Sequence, residues 1–104
     1  MFKEKTYLLK INLAYDYNNI EQEITTTDFT EPSIENIEDV STTKQVIYFL
    51  SEIFGDSIYD FLSQDAIESI EESEIENICE IIVISYDDET TYSIDINKGT
   101  IEIF

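Results

Sequence analysis

A chain of 104 residues that is 42 % apolar, with 19 Ile, 7 Tyr and 6 Phe, can build one domain with a modest core and is too apolar for intrinsic disorder. Its 24 Asp and Glu stand against five basic residues, all Lys, for a net charge of −19. That charge repels nucleic acid as a direct ligand, and the lack of any His removes the commonest general base and metal ligand.

Residues 6–15 predict a strand, with Tyr7, Leu9, Ile11, Leu13 and Tyr15 alternating against Thr6, Lys10 and Asn12. The Asp16–Asn19 cluster predicts a turn, and residues 20–27 a returning strand with Ile20 and Ile24 inward. Residues 28–41 have little periodicity and predict a long acidic loop with room for one helical turn after Pro32. Thr42 and Gln45 form a capping-box pair, followed at helical spacing by Val46, Ile47, Phe49, Leu50, Ile53 and Phe54, with Gly55 as the stop. Asp56 or Ser57 can cap a second helical piece bearing Ile58, Phe61 and Leu62, and Ser63 a third through Ala66, Ile67 and Ile70.

The last third reads as β. A strand over 78–86, a turn at Asp87-Asp88-Glu89, alternation at Tyr92, Ile94 and Ile96, a tight hairpin at Asn97-Lys98-Gly99 and a last strand through Ile101 and Ile103 predict a three-stranded antiparallel meander. The expected fold is a single α+β domain over 1–104: an N-terminal strand or hairpin, two to three short helices in the middle, and the meander, with one apolar sheet face against the helices. There is no internal repeat.

The charge is unevenly placed. The first ten residues hold three of the five lysines and one acid, so the other 94 carry −21. Between Gln45 and Asn97 there are 14 acids and no base, and seven of those acids fall in 65–80. No ion pair can close within such a stretch. A small soluble domain is well served by a net charge of about 2–8 in magnitude, and a larger excess costs stability through self-repulsion. An AT-rich genome would enrich Lys as well as Ile, Asn and Tyr, and salt adaptation disfavours large aliphatics, so neither background accounts for the pattern. On a helix, Glu68, Glu71 and Glu72 share a face, offering carboxylates to a groove built for phosphates, where Arg and Lys would bind either through charge-assisted hydrogen bonds. A solvated acidic face without a partner is the plain alternative.

The candidate partner-binding residues are therefore Asp56, Asp60, Asp65, Glu68, Glu71, Glu72, Glu74, Glu76, Asp87, Asp88 and Glu89. Tyr17, in a turn, is the best candidate for an exposed aromatic contact; Tyr59 and Tyr86 are further ones, whereas Tyr7 and Tyr92 continue apolar faces and read as core. No catalytic residue, cofactor or metal site is expected. Two glycines cannot build a phosphate-cradling loop, and Cys79, alternating with Ile81 and Val83, reads as a buried strand thiol. Asp87-Asp88-Glu89 lacks the ligand spacing and central Gly of an EF-hand and would hold Ca²⁺ weakly at best. Lys3, Lys5 and Lys10 break any leader-like run, and no apolar stretch nears the roughly 20 residues of a membrane helix. The expected location is the cytoplasm, and the oligomeric state stays open between monomer and homodimer.

In size, net charge, absence of His and absence of catalytic motifs, the chain resembles the small acidic inhibitors of phages and mobile elements: anti-CRISPR proteins, anti-restriction DNA mimics and uracil-DNA glycosylase inhibitors. The resemblance lies in composition and covers no shared motif, so no residue role follows from it. It implies a non-catalytic inhibitor that blocks a DNA, guide-RNA or PAM-reading groove of a basic defence nuclease in a bacterial host. The charge also admits an immunity protein that neutralises a basic nuclease toxin, and a structural or regulatory phage protein with a solvated acidic face.

Overall fold

Alternating apolar residues give each strand one water-averse face, and in the computed structural model those faces converge on one core. The structure describes residues 4–13, 19–38, 40–55 and 58–104, with the side chain of Cys79 outside that set. Five strands, β1 (Lys5–Leu13), β2 (Ile20–Thr26), β3 (Ile78–Ser85), β4 (Thr90–Asp95) and β5 (Thr100–Ile103), form one antiparallel sheet in the order β2-β1-β3-β4-β5. The expected hairpin and meander are therefore joined through β1 and β3, with Leu9 opposite Val83 and Ile11 opposite Ile81.

Between β2 and β3 lie α1 (Ile34–Ile37), α2 (Thr43–Phe54), α3 (Ile58–Phe61) and α4 (Gln64–Glu72), then a 3-10 turn at Ile75–Asn77. The α+β reading holds. The helical turn after Pro32 is α1, whose Asn36 Oδ1 accepts from Ser33 N at 3.0 Å. Thr42 caps α2 as its sequence requires: its Oγ1 accepts from Gln45 N at 3.3 Å, and Gln45 Oε1 accepts from Thr42 N at 3.1 Å. Gly55 ends the helix at φ +75, and a Cβ there would meet Cβ of Asp28 at 3.0 Å, so both backbone angle and space call for glycine.

The helices cover one sheet face. Leu9, Ile11 and Ile24 from the sheet and Phe49, Leu50, Ile53, Phe54, Ile58 and Ile70 from the helices are fully buried together. Burying side chains of this kind contributes about 1.5–3 kcal/mol each. Phe29 pins the loop after β2 to this core: its ring stacks on Tyr7 at 4.2 Å and lies 5.6 Å from Phe54 and 5.9 Å from Tyr92, while Thr30 N donates to Ile53 O at 2.7 Å. Tyr7 and Tyr92 are buried, as their alternation implies, and burial raises both phenol pKa values. Among the described residues no helix is long and apolar enough to cross a membrane.

Candidate functional site

The acidic run is carried by the outer face of the helix layer. In α4, Ala66, Ile67 and Ile70 turn toward the core, which leaves Asp65, Glu68, Glu71 and Glu72 exposed on the opposite side. Ser63 caps the helix, its Oγ accepting from Ala66 N at 3.1 Å. Thr43 Oγ1 donates to the Glu71 carbonyl at 3.1 Å, fixing the far end of α4 against the start of α2.

Charge placement along α4 is only half favourable. Asp65, in the first turn, meets the positive end of the helix dipole, whereas Glu71 and Glu72 occupy the last turn, which has no basic residue. Acids at that end are disfavoured by about 0.3–1 kcal/mol each. Asp60 on α3 and Glu74 and Glu76 beyond α4 extend the exposed surface. Glu76 is pushed above the ordinary carboxylate value by a hydrogen bond to Glu74 and by its like charge. The two described ion pairs, Lys5 with Asp88 and Lys10 with Glu21, both lie elsewhere.

The β3–β4 turn behaves differently. Asp87 Oδ2 accepts from the backbone N of Thr6 at 2.9 Å. Asp88 receives Lys5 Nζ on both oxygens, at 3.1 and 3.0 Å, and Ser85 Oγ at 3.2 Å. The hydrogen bond from Lys5 holds Asp88 below the usual carboxylate value, and Lys5 is raised in turn. Glu89 adopts the left-handed conformation at φ 53. Asp87 and Asp88 thus join the N-terminal strand to the meander.

The predicted site residues are thus in two places. Asp60, Asp65, Glu68, Glu71, Glu72, Glu74 and Glu76 form a band along α3, α4 and the 3-10 turn. Asp87, Asp88 and Glu89 lie past the other end of β3, an eight-residue strand that spans about 25 Å at 3.2–3.4 Å per residue. Asp56 and Tyr17 lie outside the described residues. Glu80, in the dense acidic stretch, leaves the helical band altogether: it is half-buried on the sheet, accepting from Asn12 Nδ2 at 3.3 Å and Ser93 Oγ at 3.1 Å.

Tyr59 and Tyr86 are exposed, and so is Tyr48, at 54 %, which the sequence reading passed over. Its signal was available: on α2 it falls between Lys44 and Glu52 at i−4 and i+4, on the polar side of the helix. It borders a cleft of about 230 Å³ between α1 and α2, walled also by Val40, Phe49, Glu35 and Glu52. Asn36 Nδ2 donates to Glu52 Oε2 at 3.0 Å across it. Among the described residues no group of three or more His, Cys, Asp or Glu is disposed to hold a metal ion. No protein-family model matches the chain, and no curated protein or solved structure is significantly similar to it.

Proposed function

We propose that this chain is a non-catalytic inhibitor whose acidic helical band occupies the basic nucleic-acid-binding groove of a defence nuclease, of the anti-CRISPR or anti-restriction kind, in the cytoplasm of a bacterial host. The supporting observation is the band itself. Seven exposed carboxylates from Asp60 to Glu76 have no cation paired to them among the described residues, and two of them oppose the dipole of their own helix.

A basic groove relieves both costs, because its Arg and Lys neutralise the repulsion and bond the carboxylates as they would phosphates. Long-range attraction speeds encounter, so association is fast and salt-sensitive. The mechanism is occlusion: the protein contributes charge on a rigid two-layer support and performs no chemistry.

The test is a titration of the chain into a guide-loaded CRISPR nuclease and into restriction endonucleases, following DNA binding and cleavage at low salt. Stoichiometric inhibition, lost in E71K/E72K/E74K, supports the reading. Inhibition unchanged in that variant, or none in any defence nuclease, rejects it.

A further inference from the structure

The helices cover one face of the sheet, and the other face has its own chemistry. Cross-strand partners share a face, so the register places Leu8 beside Ile84 and Lys10 beside Ile82 on the outward side. Leu8, Lys10, Ile82 and Ile84 are each partly exposed there, unlike the fully buried Leu9, Ile11, Ile81 and Val83 of the opposite face.

Ile82 and Ile84 form an apolar column down β3, and Tyr86, whose N donates to Thr6 O at 3.2 Å, continues the same alternation. On the row through Leu8 and Ile84 comes Thr91, and beyond it Phe104, bonded to Thr91 through both backbone groups at 2.9 and 3.3 Å. Tyr86 is 49 % exposed and Phe104 71 %. Exposed sheet faces are ordinarily polar; here the centre is aliphatic and two aromatic rings stand at its margin.

The rim is acidic. Glu21 and Glu23 flank the patch on β2, Glu80 and Asp95 lie toward one end, and Glu102 lies on β5. Two described lysines meet this rim: Lys10, which Glu21 takes at 3.4 Å, and Lys98 in the β4–β5 turn, which lines a hollow with Glu80, Asp95 and Glu102, so the acids still outnumber the bases. An apolar centre with a charged rim is the anatomy of a protein interface.

We infer that the open sheet face receives a basic amphipathic helix of a partner protein, with an apolar stripe against Leu8, Ile82, Ile84 and Tyr86 and with Lys or Arg on its flanks against the rim carboxylates. The charge selects this occupant. A second copy of the chain would bring an identical acidic rim against this one. The dimensions agree: strands about 4.8 Å apart give a patch about 14 Å wide from β1 to β5, and a helix with its side chains is about 10–12 Å across. A docked helix would complete a third layer opposite α2 and α4. This inference shares with the proposed function only a cationic partner, and it assigns a different surface.

The test uses two synthetic peptides of about 18 residues, five helical turns: one with Leu at helical spacing and Lys elsewhere, and a control with every Leu replaced by Gln. Each is titrated into isotope-labelled protein while amide shifts are followed, with sedimentation of the protein alone. The expected result is binding of the Leu/Lys peptide about tenfold or more tighter than the control, with shifts in β1, β3 and β4. That preference is lost in I82T/I84T, which keeps β-branched residues on the strand, and kept in E71K/E72K/E74K. The wild-type shift map decides even if I82T/I84T does not fold. Shifts confined to α3 and α4, equal binding of the two peptides, or a wild-type dimer that I82T/I84T dissolves would each overturn the inference. The first two outcomes leave the acidic helical band as a groove-binding surface, since E71K/E72K/E74K is read in the same titration.

Discussion

The helical band and the β3–β4 turn are both rich in acids and free of bases in sequence, and opposite in structure. Asp87 and Asp88 accept a backbone amide and an ammonium group from β1 and a hydroxyl from Ser85 at the end of β3. Glu71 and Glu72 share a helix end whose last turn carries no base. Carboxylates that make such bonds are explained by the fold, and carboxylates that oppose the fold call for an explanation outside it. Local acidic density cannot separate the two groups; partners can.

The largest expected contrast is in binding. E71K/E72K/E74K should slow association with a basic nuclease groove by about tenfold or more at low salt, whereas D87N/D88N/E89Q should change it by less than about twofold. Stopped-flow association kinetics over a salt series measures both, and equal effects would erase the distinction.

Stability should show the reverse order. Asp87→Ala removes the acceptor for Thr6 N and should cost about 0.5–1.5 kcal/mol, whereas Glu72→Gln should cost nothing or stabilise by a few tenths of a kcal/mol by easing the dipole conflict. Urea unfolding of the two variants side by side is the check. Within the turn, Glu89→Asn should stabilise by about 0.5–1 kcal/mol, because Asn tolerates the left-handed conformation better than Glu; a loss would mean that the Glu89 side chain has a structural partner.

Acid should move the two regions in opposite directions. Glu76 is raised in the folded state, so its ionisation opposes folding, and lowering the pH through that raised value relieves the penalty. Asp88 is lowered, so its contribution is present above the ordinary value of 3.8 and disappears as pH falls through the folded value. The melting temperature should therefore rise on mild acidification from neutrality and then fall. Glu74→Gln should flatten the rise and Lys5→Met the fall. The smallest effect is that of salt: between about 0.01 and 0.15 M the Debye length shrinks from about 30 to 8 Å, which should slow amide exchange in α4 more than in residues 86–89.

Much of the fold was legible because its signals are local. Thr42 with Gln45, Ser63 before Ala66, and Gly55 mark helix ends through bonds to near neighbours, and Tyr92 and Ile94 give their face by alternation. The placement of β1 between β2 and β3 was not legible, because alternation tells which side of a strand is buried and not which strand lies beside it. α1 was legible only as room for one turn after Pro32, because four residues, Ile34–Ile37, are too few to show a period. In the candidate site, exposure of the α4 acids followed from helical geometry. The loss of Asp87 and Asp88 to structural bonds did not, since Lys5 and Thr6 lie more than 80 residues away in sequence. The apolar patch on the open sheet face was hidden for the same reason: Leu8 and Ile84 become neighbours only through the sheet register.

The central position of β1 also bears on how the protein is made. Its neighbour β3 begins at Ile78, so while most of the chain is still emerging from the ribosome the first strand has only β2 to pair with. The sheet closes late, by capture of a strand synthesised well before β3, and every β1–β3 pair closes a loop of about 70 residues (Leu9 with Val83, for example). Non-local closure of this kind slows folding. Until it happens, Leu9 and Ile11 lack the strand that completes their sheet, and a net charge of −19 opposes association of such chains with one another.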